Sequence, residues 1–261
     1  DVLPAEDVER LRRELSDNAF RQEMLCDFTA SSDDILIPLP EVLEAEARQL
    51  AWDDVGGMPV ILGVDVARFG ADSSVIFRRQ GLKEPVVMRG LDNMQLADRV
   101  AAAIMEQRPH AVFIDAGQGQ GVIDRLRQLG HEVIEVPFGG KPLQEGRFAN
   151  RRSEMWYSLR EWLKSGGKLP DEGDEVPRLR AELSAPLYWY DAAGRIVLEP
   201  KDKIKERLGA SPDIADALAL TFAAPVALPE LGQEMFLPEQ TRDAHGFLFS
   251  WDGGEANGRL W

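Results

Sequence analysis

Residues 59–66, PVILGVDV, form an apolar run continuous enough for a strand covered on both faces. Residues 73–80, SSVIFRRQ, alternate apolar and polar, and 85–91, PVVMRGL, predict a third short strand, with GLKEP as the turn between them. NMQLADRVAAAIMEQR repeats apolar residues at helical spacing, with Asn93 as its cap and Pro109 just past its end. HAVFIDA predicts a fourth strand, GQGQG a tight loop, VIDRLRQLG a helix ending at Gly130, and HEVIEVPF a fifth strand. Three strands joined by short turns, then helix, strand, helix, strand, predict a meander that feeds right-handed crossovers into one mixed sheet.

Other patterns flank this core. EDVERLRREL and AFRQEMLCDF read as a helical lead-in, Pro38 and Pro40 fix an extended connector, and EVLEAEARQLAW is another short helical pattern. Downstream, NRRSEMWYSLREWLKSGG and EVPRLRAELSA predict helices. PLYWYDAAGRIVLEP predicts a hairpin turned at Ala193–Gly194, which either flanks a cleft or extends the sheet. SPDIADALALTFAA predicts a helix with Ser211 as N-cap and Pro212 at its first position. After Pro225 the pattern dissolves. The expected organisation is a lead-in and linker over 1–57, a folded domain over 58–225, and an acidic, flexible tail over 226–261. A chain that starts at Asp1 inside an already amphipathic segment suggests a fragment of a longer polypeptide.

At 261 residues and 44% hydrophobic content the chain can bury a real core. Its single cysteine, Cys26, permits neither an intrachain disulfide nor a cysteine zinc cluster, which suits a reducing compartment. No signal peptide opens it and no apolar run is long enough to span a membrane. A net charge of −15 ordinarily argues against a nucleic-acid partner, but the charge is unevenly distributed. Asp27–Val55 carries eight acids against one base, whereas Lys141–Lys168 carries seven bases against three acids and Arg195–Arg207 five against three. The basic segments are either ordinary solvated helix faces or one polyanion-binding face.

An ionised carboxylate inside an apolar run needs a partner, because moving it out of water costs several kcal/mol. For Asp65 the partner is an Arg, a backbone cap or a metal ion. Asp115 ends the fourth strand, next to the first in the predicted sheet, and Asp213 lies in the first turn of the last helix. Three such acids converging with only Arg68 nearby in sequence would repel, and divalent cations relieve that repulsion. Oxygen-only ligation suits Mg²⁺ or Mn²⁺, and two such ions roughly 4 Å apart can activate water and stabilise a leaving phosphodiester oxygen. Asp216, three residues after Asp213, is a second possible ligand on the same helix face. Asp72 either reaches back over the site or is a turn residue. Each acid also has a plain structural reading: Asp65 pairing with Arg68, Asp115 capping the glycine-rich turn, Asp213 favouring a helix dipole. The three histidines suggest neither ligation nor a triad.

VILGVDVARFGADSSVI, VFIDAGQGQGVIDRLRQLGHEVIEVPFGG and SPDIADALALTFA strongly resemble the C-terminal nuclease domain of the large terminase subunits of tailed bacteriophages. The resemblance covers roughly 58–224, and SDNAFRQEMLCDF resembles the stretch joining motor to nuclease in that family. It implies a ribonuclease H-like α/β fold and metal-dependent cutting of concatemeric viral double-stranded DNA in the host-cell cytoplasm. The implied partners are an upstream ATPase motor domain of the same polypeptide, the small terminase subunit and the portal, with no membrane. Asp65, Asp115 and Asp213 match the family's metal-binding acids, and Asp216 matches a further acid used by the related Holliday-junction resolvases. The Walker-type GxxxxGK[ST] is missing, so ATP hydrolysis by that mechanism is not expected.

In this reading Asp65 bridges two ions, Asp115 and Asp213 hold one each, and Arg147, Arg151, Arg152, Lys201, Lys203 and Lys205 hold the DNA backbone without reading bases. Two rivals stand beside it. The strand–glycine–helix–strand run ending near Glu135 imitates a dinucleotide-binding unit, although its GxGxG spacing and Asp115 argue against one. A non-catalytic capsid- or portal-docking module, using the aromatic-dotted tail, is the other.

Overall fold

A computed structural model of the chain describes residues 34–50, 56–67, 73–80 and 85–227. The predicted lead-in helices, Arg68, Asp72 and the tail beyond residue 227 lie outside the described residues. The strands are β1 (Ile61–Asp65), β2 (Ser74–Arg79), β3 (Val86–Met88), β4 (Ala111–Asp115), β5 (Ile134–Val136), β6 (Tyr188–Tyr190) and β7 (Ile196–Leu198). The helices are α1 (Leu39–Ala47), α2 (Asn93–Gln107), α3 (Ala116–Gln128), α4 (Arg151–Lys164), α5 (Val176–Ser184), α6 (Lys201–Leu208) and α7 (Asp213–Leu220).

The five-stranded sheet has the order β3-β2-β1-β4-β5. β1 pairs antiparallel with β2, and β2 with β3, whereas β1–β4 and β4–β5 are parallel. This is the predicted meander followed by crossovers. β1 lies at the centre, which explains its unbroken apolar run: every one of its residues is buried. The hairpin β6–β7 forms a separate two-stranded sheet and does not extend the main one.

Strand alternation assigns the two faces. Ile61, Val75, Phe77 and Phe113 pack with residues of α1, α4, α5 and α7, while Leu62, Val64, Ile76, Val112 and Ile114 pack with those of α2 and α3. Asp65 is in phase with Ile61, and Asp115 with Phe113, so both carboxylates belong to the α7 face.

Several local expectations are corrected. The GQGQG run is the first part of α3, not a loop. Its glycines permit close packing: a Cβ on Gly119 would stand 3.1 Å from Ile114 and 3.2 Å from Val66, and one on Gly121 would meet Asn93. The cap of α2 is Asp92, one residue before Asn93; it accepts from the Met94 and Gln95 N–H groups in a capping box. Pro40 lies in the first turn of α1, where a missing N–H is harmless, and Pro38 is the N-cap. Leu36, Ile37, Val42 and Ala45 are fully or almost fully buried in the core beneath α7. Residues on both sides of position 58 thus contribute to one hydrophobic core. The helix α6 has no counterpart among the predicted elements, since only Ile204 of its eight residues is buried.

One close approach sets the position of α7. A Cβ on Gly63 of β1 would lie 1.9 Å from the Ala217 carbonyl oxygen, so the helix rests directly on the strand backbone. Gly63→Ala is expected to destabilise the protein by about 1–3 kcal/mol by overpacking this contact. Urea unfolding checks it; an unchanged midpoint would mean that α7 is not seated in this way.

Candidate active site

The site forms where the C-terminal ends of β1 and β4 meet the N-terminal end of α7. Asp65, Asp115 and Asp213 line one cleft of about 520 Å³ together with Lys201 and the backbone around Gly117 and Phe138. The structure thus brings together the three acids singled out from sequence. Each is almost completely buried.

Asp65 Oδ2 accepts a hydrogen bond from Lys201 Nζ at 3.1 Å. Its Oδ1 is buried and has no hydrogen-bond partner among the described residues. Burial pushes the Asp65 carboxyl up to about 8; Lys201 opposes this, and Asp216, Asp213 and Asp115 reinforce it. Asp115 Oδ1 accepts from the Gly117 N–H at 3.0 Å, so the acid caps α3 while facing the cleft. Burial raises its pKa too, against the Gly117 hydrogen bond and Lys201.

Asp213 Oδ2 accepts from the Ser73 N–H at 2.9 Å and from Arg178 Nη2 at 3.1 Å, and its Oδ1 lies 3.5 Å from Lys201. Asp216 is fully buried behind it. Its Oδ1 accepts from Arg152 Nε at 3.0 Å and Trp156 Nε1 at 2.8 Å, and its Oδ2 lies 3.2 Å from Lys201 Nζ without an aligned hydrogen bond. Burial would raise the Asp216 pKa, but Arg152 and Lys201, with the Trp156 hydrogen bond, outweigh it and hold it below the usual carboxylate range.

Lys201, the first residue of α6, therefore places one ammonium among Asp65, Asp213 and Asp216. Desolvation would lower its pKa, but these three acids raise it well above the ordinary lysine value. A counter-charge for these acids thus comes from Lys201, a residue that the sequence reading assigned to the DNA backbone.

The other proposed backbone contacts divide by location. Arg152 is buried, held by Asp216 and by the Glu199 carbonyl at 2.8 Å. Arg151 is largely covered, pairs with Glu154 at 3.0 Å and donates to the Ala223 carbonyl. Arg147 is exposed, its guanidinium 4.5 Å over the Tyr157 ring. Lys203 and Lys205 lie on the exposed face of α6, and Lys203 pairs with Glu206 at 2.9 Å. Sequence reasoning missed Ser73, Arg178 and Glu182 altogether. An Arg–Glu pair four apart on a helix is too common to single out.

As arranged here, no three acidic, histidine or cysteine side chains among the described residues close into a metal cage. The Lys201 ammonium stands between the acids instead. The donor set nevertheless fits a hard divalent cation: three carboxylates and the Gln118 amide line the cleft, and Asp65 Oδ1 is a buried acceptor lacking a donor.

Fold and site together define an α/β domain with a carboxylate-lined cleft at the strand ends. In structure the chain is similar to the nuclease domain of the large terminase subunit gp2 of bacterial virus Sf6, with 20% identity, a TM-score of 0.62, and coverage of 73% of this chain and 99% of that one. A lysine-to-alanine mutant of that domain with calcium matches with 20% identity and a TM-score of 0.61, over 73% of this chain and 99% of that one. The same mutant with manganese and β-thujaplicinol gives 21% identity and 0.61, again over 73% and 99%. No protein-family profile matches the chain. No curated protein matches it in sequence. At these identities the likeness establishes the fold, which is the expected ribonuclease H-like mixed sheet flanked by helices with an added hairpin. Among the described residues no helix is long and apolar enough to cross a membrane.

The raised pKa of Asp65 carries a stability consequence. Between about 4 and 8 the folded, metal-free protein holds a proton on this group that the unfolded chain releases, so stability falls as pH rises through that window. Asp65→Asn is expected to stabilise the metal-free protein, and more so at pH 8 than at pH 5. Urea midpoints in EDTA at the two pH values check this; an equal gain at both would show that Asp65 ionises normally.

Proposed function

We propose that this chain is a metal-dependent DNA endonuclease that cuts concatemeric viral DNA during genome packaging, hydrolysing phosphodiesters with two Mg²⁺ or Mn²⁺ ions and little sequence specificity. The observation that carries the reading is the meeting of Asp65, Asp115 and Asp213 in one cleft, with Asp65 Oδ1 buried and unpartnered. The fold shared with the Sf6 terminase nuclease domain supports it, as do the calcium and manganese forms of that domain.

Asp65, Asp115 and Asp213 would hold the ions. Bound there, divalent ions supply a water acidified enough to attack phosphorus and positive charge for the departing oxygen. The chain does the rest. Asp115 has one oxygen committed to the Gly117 N–H, and Asp213 has its Oδ2 committed to Ser73 and Arg178, so each presents its other oxygen. Asp216 anchors Lys201 from behind, with its own Oδ1 saturated by Arg152 and Trp156. Lys201 partly neutralises the acids and competes with a cation for the same oxygens. The exposed cations Arg147, Lys203 and Lys205 provide the phosphate contacts in this reading. Delivery of DNA by an upstream ATPase motor domain, with the small terminase subunit and portal, belongs to the same proposal.

Supercoiled plasmid incubated with the protein and Mg²⁺, Mn²⁺ or EDTA tests the proposal. Relaxed and linear products that require metal and disappear in folded Asp65→Ala and Asp213→Ala variants are expected. No cutting at low salt with Mn²⁺ would leave the non-catalytic docking module as the better reading.

Two further outcomes are expected. Lys201→Ala should tighten Mn²⁺ binding measured by calorimetry, because a competing ammonium is removed; weaker binding would show that the lysine helps hold the ion. Lys203→Glu with Lys205→Glu should weaken DNA binding uniformly across sequences, lowering the salt slope by about 1 for each phosphate that is no longer neutralised. An unchanged slope would remove α6 from the DNA path.

A further inference from the structure

The helix that carries Asp213 does not cap itself. Its N-cap is Pro212, which has no side-chain cap bond, and the predicted Ser211 cap does not form. The leading N–H groups are bound instead from another helix: Glu182 Oε2 of α5 accepts from Ile214 at 2.8 Å and Ala215 at 3.0 Å. Its Oε1 accepts from Arg178 Nε at 2.6 Å, one turn earlier in α5.

Arg178 then spans three elements. Its Nη2 donates to Asp213 Oδ2 at 3.1 Å and lies 3.5 Å from the Ser211 carbonyl, and its Nη1 donates to Ser73 Oγ at 3.2 Å. The Ser73 N–H donates to the same Asp213 oxygen at 2.9 Å. Asp213 Oδ2 is thus held by two donors, and Oδ1 is the oxygen left beside Lys201.

We propose that Arg178 and Glu182 are positioning residues for Asp213, fixing which of its oxygens faces the cleft and so setting the affinity of the site for a divalent cation. This rests on the metal-dependent reading of the cleft. The pairing matters chemically. A lone guanidinium beside Asp213 would orient it but also repel an arriving cation. With Glu182 against it at 2.6 Å, and Glu175 at 3.9 Å, Arg178 keeps its fork of hydrogen bonds while its charge is offset. Glu182 serves both ends of the clamp, seating the helix N-terminus and balancing the arginine. Losing a partner that orients a ligand in this way typically costs roughly 10–100-fold in metal affinity or activity.

The test is calorimetric titration with Mn²⁺ at about pH 8 on the unmutated protein, Arg178→Lys, Glu182→Gln and Asp213→Asn. Folding is verified by near-ultraviolet circular dichroism, and plasmid cleavage is followed against Mn²⁺ concentration. Arg178→Lys keeps the charge and loses the fork. Glu182→Gln keeps an acceptor for the α7 cap and loses the balancing charge, so it is the variant that decides the matter if the first does not fold. Each should raise the Mn²⁺ Kd by roughly tenfold or more. The Mn²⁺ needed for half-maximal cleavage should rise in parallel, while the rate at saturating Mn²⁺ returns to near that of the unmutated protein. Binding that Asp213→Asn abolishes but folded Glu182→Gln and Arg178→Lys leave unchanged overturns the clamp alone. Weakened binding in the variants, with no plasmid cut by any form, supports the clamp and overturns the nuclease reading. No Mn²⁺ binding by the unmutated protein overturns both.

Discussion

Four carboxylates share a region from which water is largely excluded, and the local structure around them compensates for that. Like charges at such range interact strongly in a medium of low effective dielectric. Each acid has therefore acquired a distinct compensation: Lys201 for Asp65, the Gly117 N–H for Asp115, Ser73 and Arg178 for Asp213, and Arg152 with Trp156 for Asp216. The compensations are unequal. Asp216 is held below the usual carboxylate range, whereas Asp65 is pushed up to about 8 although both are buried. The difference lies in the partners: the Arg152 and Lys201 charges, with the Trp156 hydrogen bond, outweigh burial at Asp216, whereas at Asp65 burial and three neighbouring acids outweigh Lys201. Asp216 accepts two bonds at Oδ1 and Asp65 one at Oδ2, from Lys201, and each keeps a second buried oxygen without a hydrogen bond. Of the two buried acids, Asp216 is the more fully compensated within the protein.

Much of this geometry follows from the sheet. Central placement of β1 puts its C-terminal end beside that of β4, and strand alternation turns Asp65 and Asp115 to one face. The missing side chain at Gly63 lets α7 descend onto that face, which brings Asp213 and Asp216 down with it. Glycines perform the same service on the opposite face, where Gly119 and Gly121 admit close contact between α3 and its neighbours.

The strands and the three principal acids are legible in the sequence because their signals are local: apolar runs of strand length ending at Asp65 and Asp115, and an apolar helical run that opens on Asp213. The tight loop expected at GQGQG fails because glycine signals both turns and close packing, and only the neighbouring β1, β4 and α2 distinguish them. α6 is invisible because KDKIKERL buries a single residue and is defined by what surrounds it. The same obscurity hides the position of Lys201. Its charge in a basic segment suggests phosphate, yet placement at the first turn of α6 directs the ammonium to the acids. Ser211 reads as the N-cap of α7 from sequence alone, but Glu182 from a distant segment takes the Ile214 and Ala215 N–H groups. A cap supplied by another helix leaves no local trace.

That displaced cap also ties residues 34–50 to the folded body. α5 is fixed on one side by α7, through Glu182 and Arg178, and on the other by α1, through Arg180 and Glu46 at 2.7 Å. Arg48, just past α1, donates to the Leu163 and Gly167 carbonyls at 2.5 and 2.7 Å, closing the C-terminal end of α4. α4 in turn carries Arg152 and Trp156, the two donors to Asp216. The segment that reads as a linker thus braces both helices that hold the acids of α7. An acid placed on a short helix with no cap of its own depends on such bracing, because nothing within the helix fixes its first turn.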